Sequence, residues 1–318
     1  MEHRALGRSG VDVSRLILGC GNFGGIGSSP AFFGAGESEE EAHALLDAAW
    51  AAGITTYDTA DAYGGGRSES YIGSWLGSKG PDVRGRIVLT TKTFNPMHLG
   101  ADRGLAPERI RRQLETSLDR LGVDRVDLYL AHEMDEEVPV AETVAAFAEL
   151  VAAGRIRAYG GSNVDAAWID EALRHGRPEW VQNSYSLLER EDENDALPVC
   201  VREGLGYTPY GPLAGGWLTG KYRRGEEPPP GSRMTMRPEP YEHLRAERVY
   251  DALEELEAVA LERETTQATL AIAWLLAHPA VTAVVVGPRG PEQLRPALEA
   301  LQLELSPPEH ERLAGLFA

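Results

Sequence analysis

Strand-like and helix-like segments alternate along almost the whole of this 318-residue chain, and that alternation constrains the fold more than any single motif. Strand-like runs fall at residues 16–20, 54–58, 86–92, 126–132, 155–160, 180–183, 206–210 and 281–287. Between them, Ala42, Leu45, Leu46, Ala49 and Trp50 recur at the spacing of one helix face. Ile110, Leu114, Leu118 and Leu121 form a second stripe, opened by Pro107 at a first-turn position and closed by Gly122. Val140, Val144, Phe147 and Val151 form a third, closed by Gly154. Eight strands with intervening helices predict the α/β class, specifically a (β/α)8 TIM barrel running as one domain over residues 1–318. A doubly wound open sheet is the alternative. Its dinucleotide fingerprint is approached by Gly19-Cys20-Gly21-Asn22-Phe23-Gly24, but a Gly/Ser/Pro loop to Gly36 follows where a helix should begin at once. Residues 3–13 read as an N-terminal β-hairpin turning at Arg8-Ser9-Gly10. Residues 222–240 read as a long barrel loop, and residues 243–263 and 307–316 as two extra helices.

The charge balance narrows the function. A formal net charge of −18 opposes nucleic acid and anionic membrane surfaces, because both demand a basic footprint. A few local cations can still hold an anionic cofactor, since distant acidic charge is screened by salt. The longest apolar stretch, residues 270–277, is too short to span a bilayer and reads as a buried helix. The segment Met1-Glu2-His3-Arg4 lacks the apolar core of a signal peptide, so a soluble, cytoplasmic chain is expected. Cys20 and Cys200 make no disulfide framework and are expected as small buried hydrophobes. The only lysines are Lys79, Lys92 and Lys221, which makes one at a strand end noteworthy.

In a parallel barrel the C-terminal strand ends build the active site. Here those ends carry Asn22, Asp58, Lys92, His132, Ser162 with Asn163, Gln182 with Asn183, Tyr210 and Arg289. Tyr63 follows Asp58 by five residues, so the intervening loop can fold it back beside the carboxylate. A free phenol has a pKa near 10 and is a poor acid at neutral pH. A cation close by lowers it, and Lys92 is the candidate, held charged and oriented by Asp58. His132 would orient a carbonyl or share the proton relay. Together Asp58, Tyr63, Lys92 and His132 can protonate a carbonyl oxygen while a cofactor delivers hydride. No metal is implied, and no His-x-His pair ends a strand.

The segment Asp58-Thr59-Ala60-Asp61-Ala62-Tyr63-Gly64 strongly resembles the signature of the aldo-keto reductase family. The resemblance begins at Leu6-Gly7-Arg8-Ser9-Gly10 and covers nearly the whole chain. It takes in Gly160-Gly161-Ser162-Asn163, Val181-Gln182-Asn183, the run from Tyr210 to Tyr222, and the run from Gly287 to Leu294. The pattern looks closest to the branch containing bacterial reductases, aflatoxin-aldehyde reductases and potassium-channel β subunits. It implies Asp58, Tyr63, Lys92 and His132 as the catalytic tetrad. It also implies a nicotinamide cofactor: Ser162, Asn163 and Gln182 on the carboxamide, Tyr210 stacked on the ring, and Leu213 and Gly216 along the pyrophosphate. Gln293 matches an adenosine contact and Arg289 a partner of the adenosine 2′-phosphate, so the expected cofactor is NADPH/NADP+, with NADH possible. Asn22, Asp58, Pro212, Lys221 and Gly287 complete the implied cofactor set. Arg233 is a candidate to fold over the phosphates. Departures stand at Pro296 and Ala297, where many relatives carry an acid and an Asn against adenine, and at Pro288. Phe23, Phe32 and Phe33 are candidate pocket walls, and Glu133, Asp135, Glu136 and Glu137 make the loop after His132 acidic.

The expected activity is reduction of an aldehyde or ketone to an alcohol, with a small carbonyl substrate as the partner and Tyr63 as general acid. An NADP(H)-binding regulatory or sensor protein with slow turnover is the alternative. A Schiff-base enzyme using Lys92 is a further class, opposed by the neighbouring Asp58. Oligomeric state is left open.

Overall fold

The computed structural model describes residues 1–317, so the expected boundary at Ala318 lies outside the described residues. An antiparallel hairpin of β1 (His3–Ala5) and β2 (Asp12–Ser14) opens the chain. Eight strands then pair in parallel. They are β3 (Leu16–Gly19), β4 (Thr56–Asp58), β5 (Val88–Thr93), β6 (Val126–Ala131), β7 (Ile156–Ser162), β8 (Trp180–Gln182), β9 (Gly206–Tyr207) and β10 (Val284–Val286). Their order is β10-β3-β4-β5-β6-β7-β8-β9. Backbone bonds join the two ends: Thr282 N donates to Tyr207 O at 2.8 Å and Val285 N to Pro209 O at 2.9 Å. The sheet thus curls round on itself with helices outside, the (β/α)8 arrangement rather than an open sheet.

Side-chain alternation divides the core in two. Ile17, Leu128, Leu130, Trp180 and Val285 point into the barrel and meet Leu6, Val11 and Val13 of the hairpin. The hairpin therefore plugs one end. At Gly206 a Cβ would lie 2.5 Å from Leu6 Cδ1, so a larger residue there would push the plug out. Leu16, Leu18, Tyr129 and Ala131 point outward and pack under the helices. With the N-terminal ends sealed, the strand C-termini are left to form the site.

The helices start and stop where local chemistry dictates. Ser38 caps the Glu39–Ala51 helix in a reciprocal capping box with Glu41. Pro107 opens the Pro107–Leu121 helix, and Gly122, at φ 66°, ends it in the left-handed conformation. The extra helices occur as Glu247–Glu262 and Pro307–Gly315. Strand bounds differ from expectation at the edges. The run 281–287 is a strand only over Val284–Val286, and 206–210 only over Gly206–Tyr207. Neighbouring strands in a tilted barrel overlap over few residues, and apolar character alone does not mark that overlap. Among the described residues, no helix is long and apolar enough to cross a membrane.

Candidate active site

Asp58 closes β4, and the chain then turns over the barrel mouth into the 3-10 turn Tyr63–Gly65. That turn is held by its neighbours. Asp61 N donates to Lys92 O at 3.0 Å, and Gly64 N to Gly27 O at 3.3 Å in the long loop after β3. Gly64 sits at φ 58°, where a Cβ would lie 2.5 Å from Phe23 O. Only glycine lets the turn and the loop approach this closely.

On β5 the side chains alternate. Thr91 points outward to Glu69 (Oγ1 to Oε1, 2.6 Å), and Thr93 to Asp61 (Oγ1 to Oδ2, 2.8 Å). Lys92, between them, points inward and has no solvent exposure. Its ammonium donates to Asp58 Oδ2 at 2.6 Å, Thr59 O at 3.0 Å and Tyr63 Oη at 3.3 Å. His132, the residue after β6, places Nε2 3.4 Å from the same Oη. Its ring meets that of Tyr63 edge-on, with centroids 5.4 Å apart. Lys92 and His132 thus meet at the phenolic oxygen of Tyr63, and Asp58 joins the cluster through the ammonium. Asp58 also accepts from Gln182 Nε2 at 3.2 Å, which ties β4 to β8 across the mouth.

The electrostatics depart from the sequence expectation in one respect. Burial raises the Tyr63 phenol, the Lys92 ammonium lowers it, and the net direction is up. The expected depression of the phenol is therefore not what the protein alone produces, because desolvation outweighs the cation at this depth. Burial lowers Lys92, but the charge of Asp58 and the contact with Tyr63 turn the net shift upward, so the ammonium stays charged. Burial, then Lys92, drives His132 well below its ordinary value. The imidazole is neutral, with Nδ1 buried and without a partner among the described residues.

The remaining residues line the rim. Ser162 ends β7 and is buried. Asn163 follows in left-handed backbone at φ 55°. Its Nδ2 donates to His132 O and Glu133 Oε1, and its Oδ1 accepts from Tyr210 Oη at 2.5 Å. Asn183 stands apart: it bonds Val164 and Asp192 and serves the turn after β7. Beyond β9, Pro212 is buried and Leu213 half-buried. Gly211, Ala214, Gly215 and Gly216 all have positive φ, a run of the kind that forms anion-binding nests. At Gly216, φ 99°, a Cβ would lie 2.4 Å from both Cε and Nζ of Lys221, so the lysine lies against this loop. Asn22 Oδ1 accepts from Arg233 Nη2 at 2.6 Å, which straps the loop of residues 222–240 across the groove. Gln293 Oε1 accepts from Arg289 N at 2.9 Å. A Cβ at Gly287 would meet nothing within 4 Å.

One expectation fails in position. Phe23 is buried in the core and cannot wall an open pocket. Asp135, in the acidic loop after His132, accepts from Leu105 N and Glu137 N. Two polar groups went unread in the sequence: Glu37, whose Oε1 accepts from Arg289 Nε at 2.8 Å, and Ser232. Glu37 Oε2 and Ser232 Oγ are buried without partners among the described residues. Glu37 stands just before the N-cap Ser38 and the glutamates that open the helix, so in the sequence it carries no signal beyond that of an acid near a helix start. A rim with orphaned polar atoms, three cations (Lys221, Arg233, Arg289) and glycine-opened backbone fits a dinucleotide. Among the described residues, no group of three or more His, Cys, Asp or Glu could hold a metal ion.

Comparison with known proteins shows the family. Residues 15–317 match the Aldo/keto reductase family. Uncharacterized oxidoreductase YrpG of Bacillus subtilis (strain 168) is 37% identical over 320 residues, covering 96% of this chain and 92% of that protein. NADH-specific methylglyoxal reductase of Escherichia coli (strain K12) is 35% identical over 323 residues, covering 96% and 95%. A putative voltage-gated potassium channel subunit beta of Schizosaccharomyces pombe is 33% identical over 312 residues, covering 94% and 88%. On a family match from the first barrel strand to the last helix, the chain belongs to the aldo/keto reductase family of oxidoreductases, which use nicotinamide cofactors.

Proposed function

We propose that this chain reduces a small aldehyde or ketone to an alcohol with NADPH, and that Tyr63 is the general acid. The observation that supports it best is the convergence of Lys92 Nζ and His132 Nε2 on Tyr63 Oη, at 3.3 and 3.4 Å. When bound, the dihydronicotinamide supplies a hydride to the carbonyl carbon. Tyr63 gives its proton to the carbonyl oxygen as that oxygen gains the bonding pair, and Lys92 stabilises the phenolate left behind. Neutral His132 holds the carbonyl oxygen in place, and Asp58 keeps the ammonium oriented. The phenolate recovers its proton from solvent. A phenol raised by burial remains protonated at neutral pH, which a proton donor requires.

Ser162, Asn163 and Gln182 would hold the carboxamide, which needs both donors and acceptors. Tyr210 would cover the ring, and Asn22, Pro212, Leu213, Gly216, Lys221, Gly287 and Gln293 would line the rest of the groove. Arg289 supports NADPH, since a guanidinium pairs well with a phosphate. The name of the Escherichia coli relative supports NADH and makes a small 2-oxoaldehyde the first substrate to test. One barrel domain in the cytoplasm completes the reading.

The test is Tyr63→Phe. Fluorescence titration should find NADPH binding unchanged, while carbonyl reduction falls at least about 100-fold, the lower end for general acid catalysis. Equal turnover in the variant rejects the role. A second reading, a nucleotide-binding regulatory subunit, takes support from the potassium-channel relative. Absence of turnover over an aldehyde panel, with tight cofactor binding, would favour it.

A further inference from the structure

Glu37 is a buried acid that the proposed reaction does not use. It lies just before the Glu39–Ala51 helix and is 5% exposed. Its main chain is held on both sides: Glu37 N donates to Asn22 O at 2.9 Å, and Gly24 N donates to Glu37 O at 2.8 Å. The side chain enters the cleft shared with Asn22, Lys221, Ser232, Arg233 and Arg289. Oε1 is taken by Arg289 Nε, while Oε2 is buried and free of any partner among the described residues. Arg289 is engaged elsewhere too, since Nη1 donates to Gly231 O at 3.2 Å. Burial, then Arg233 and Arg289, lowers Lys221, so the cations crowd one another and favour an anion.

A cleft built only for phosphates has no use for a carboxylate with a spare oxygen. Cations and a carboxylate together suit a ligand presenting both phosphate and sugar hydroxyl. In the dinucleotide sites of doubly wound sheets, an acid accepts from the ribose 2′-hydroxyl of NADH, whereas an arginine receives the 2′-phosphate of NADPH, and the same chemistry applies to any adenosine end. This cleft contains one of each, paired to the other.

We propose that Glu37 is a specificity-determining residue of the cofactor cleft. Its free carboxylate oxygen accepts a hydrogen bond from a sugar hydroxyl at the adenosine end, and its charge opposes a phosphate in the same place. This rests on the reading that the cleft takes a nicotinamide dinucleotide. Glu37 then blunts the preference that Arg289 creates for NADPH and keeps NADH in play.

The experiment is a fluorescence titration of wild type, Glu37→Gln and Glu37→Asp with NADPH and with NADH, with 2′,5′-ADP and 5′-AMP as fragments that lack nicotinamide. In Glu37→Gln the ratio of the Kd for NADPH to that for NADH should fall at least about tenfold, within the scale of a single like-charge contact. The fragment pair should shift the same way, and Glu37→Asp should keep a ratio near wild type. An unchanged ratio, or equal weakening of both cofactors, overturns the proposal and leaves Glu37 a structural acid. If wild type binds neither dinucleotide, the functional reading itself fails and this inference with it. Should Glu37→Gln melt below the assay temperature, Glu37→Ala is read by the same ratio.

Discussion

Lys92 donates to Asp58 Oδ2 at 2.6 Å with both side chains sealed from solvent. A buried pair of this kind contributes little net stability of its own, because each ion loses its hydration. Removing one partner is another matter. Asp58→Asn leaves the ammonium uncompensated and is expected to cost about 3–5 kcal/mol in urea unfolding. The double variant Asp58→Asn/Lys92→Met should regain much of that stability while carbonyl reduction stays abolished. A single variant as stable as wild type would show that the pair is not coupled.

Asp61 gives the fold a pH-dependent stability. Burial, then the neighbouring Glu69, pushes its carboxyl from an ordinary 3.8 up to about 7. One of its oxygens is buried without a partner among the described residues. In this window the native state holds a proton that the unfolded chain releases. The stability linked to this group is therefore complete below about pH 4 and is lost as pH rises to about 7, at about 1.4 kcal/mol per pH unit at most. Asp61→Asn should remove that slope. Unfolding midpoints of both proteins across this range test it; parallel curves would locate the dependence elsewhere.

Glu133 should set a pH dependence on substrate charge. Burial pushes its carboxyl up to about 7, and Asn163, which also donates to His132 O, donates to it. Below that pH the group is neutral; above it the mouth gains a negative charge. KM for an anionic aldehyde should rise by up to about tenfold between about pH 6 and pH 8, while that for a neutral aldehyde stays flat. Glu133→Gln should abolish the difference. A rise of the same size with both substrates would exclude the charge as the cause.

Two glycine substitutions should behave oppositely. Gly64→Ala meets Phe23 O and a left-handed backbone, so a loss of about 1–3 kcal/mol is expected, with slower reduction as Tyr63 is displaced. At Gly77, in the Arg67–Ser78 helix, a Cβ would meet nothing within 4 Å. Gly77→Ala should leave activity unchanged and stabilise by about 0.5–1 kcal/mol. Thermal melts and initial rates separate the cases; equal effects at the two positions would contradict the contact at Gly64.

Much was legible from local pattern. The stripe at Ile110, Leu114, Leu118 and Leu121 is buried, and Gly122 ends its helix. The order Asp58, Lys92, His132 along successive strand ends foretold their convergence, because parallel strands carry their C-terminal ends to one rim. The helix Arg67–Ser78 carries no legible stripe, since Ser68 and Glu69 share its buried face with Ile72, Trp75 and Leu76, and Ala166–His175 and Ala196–Glu203, at 10 and 8 residues, are too short to show one. Only the tertiary structure decided three things: that Phe23 is core, that burial outweighs Lys92 at the phenol, and that Glu37 meets Arg289. The last two residues are 252 positions apart. Residue order records which side chains a strand end or helix face presents, because that periodicity is local. Depth of burial, and the partner met across the barrel mouth, depend on how distant loops close over one another, and no local spacing encodes that.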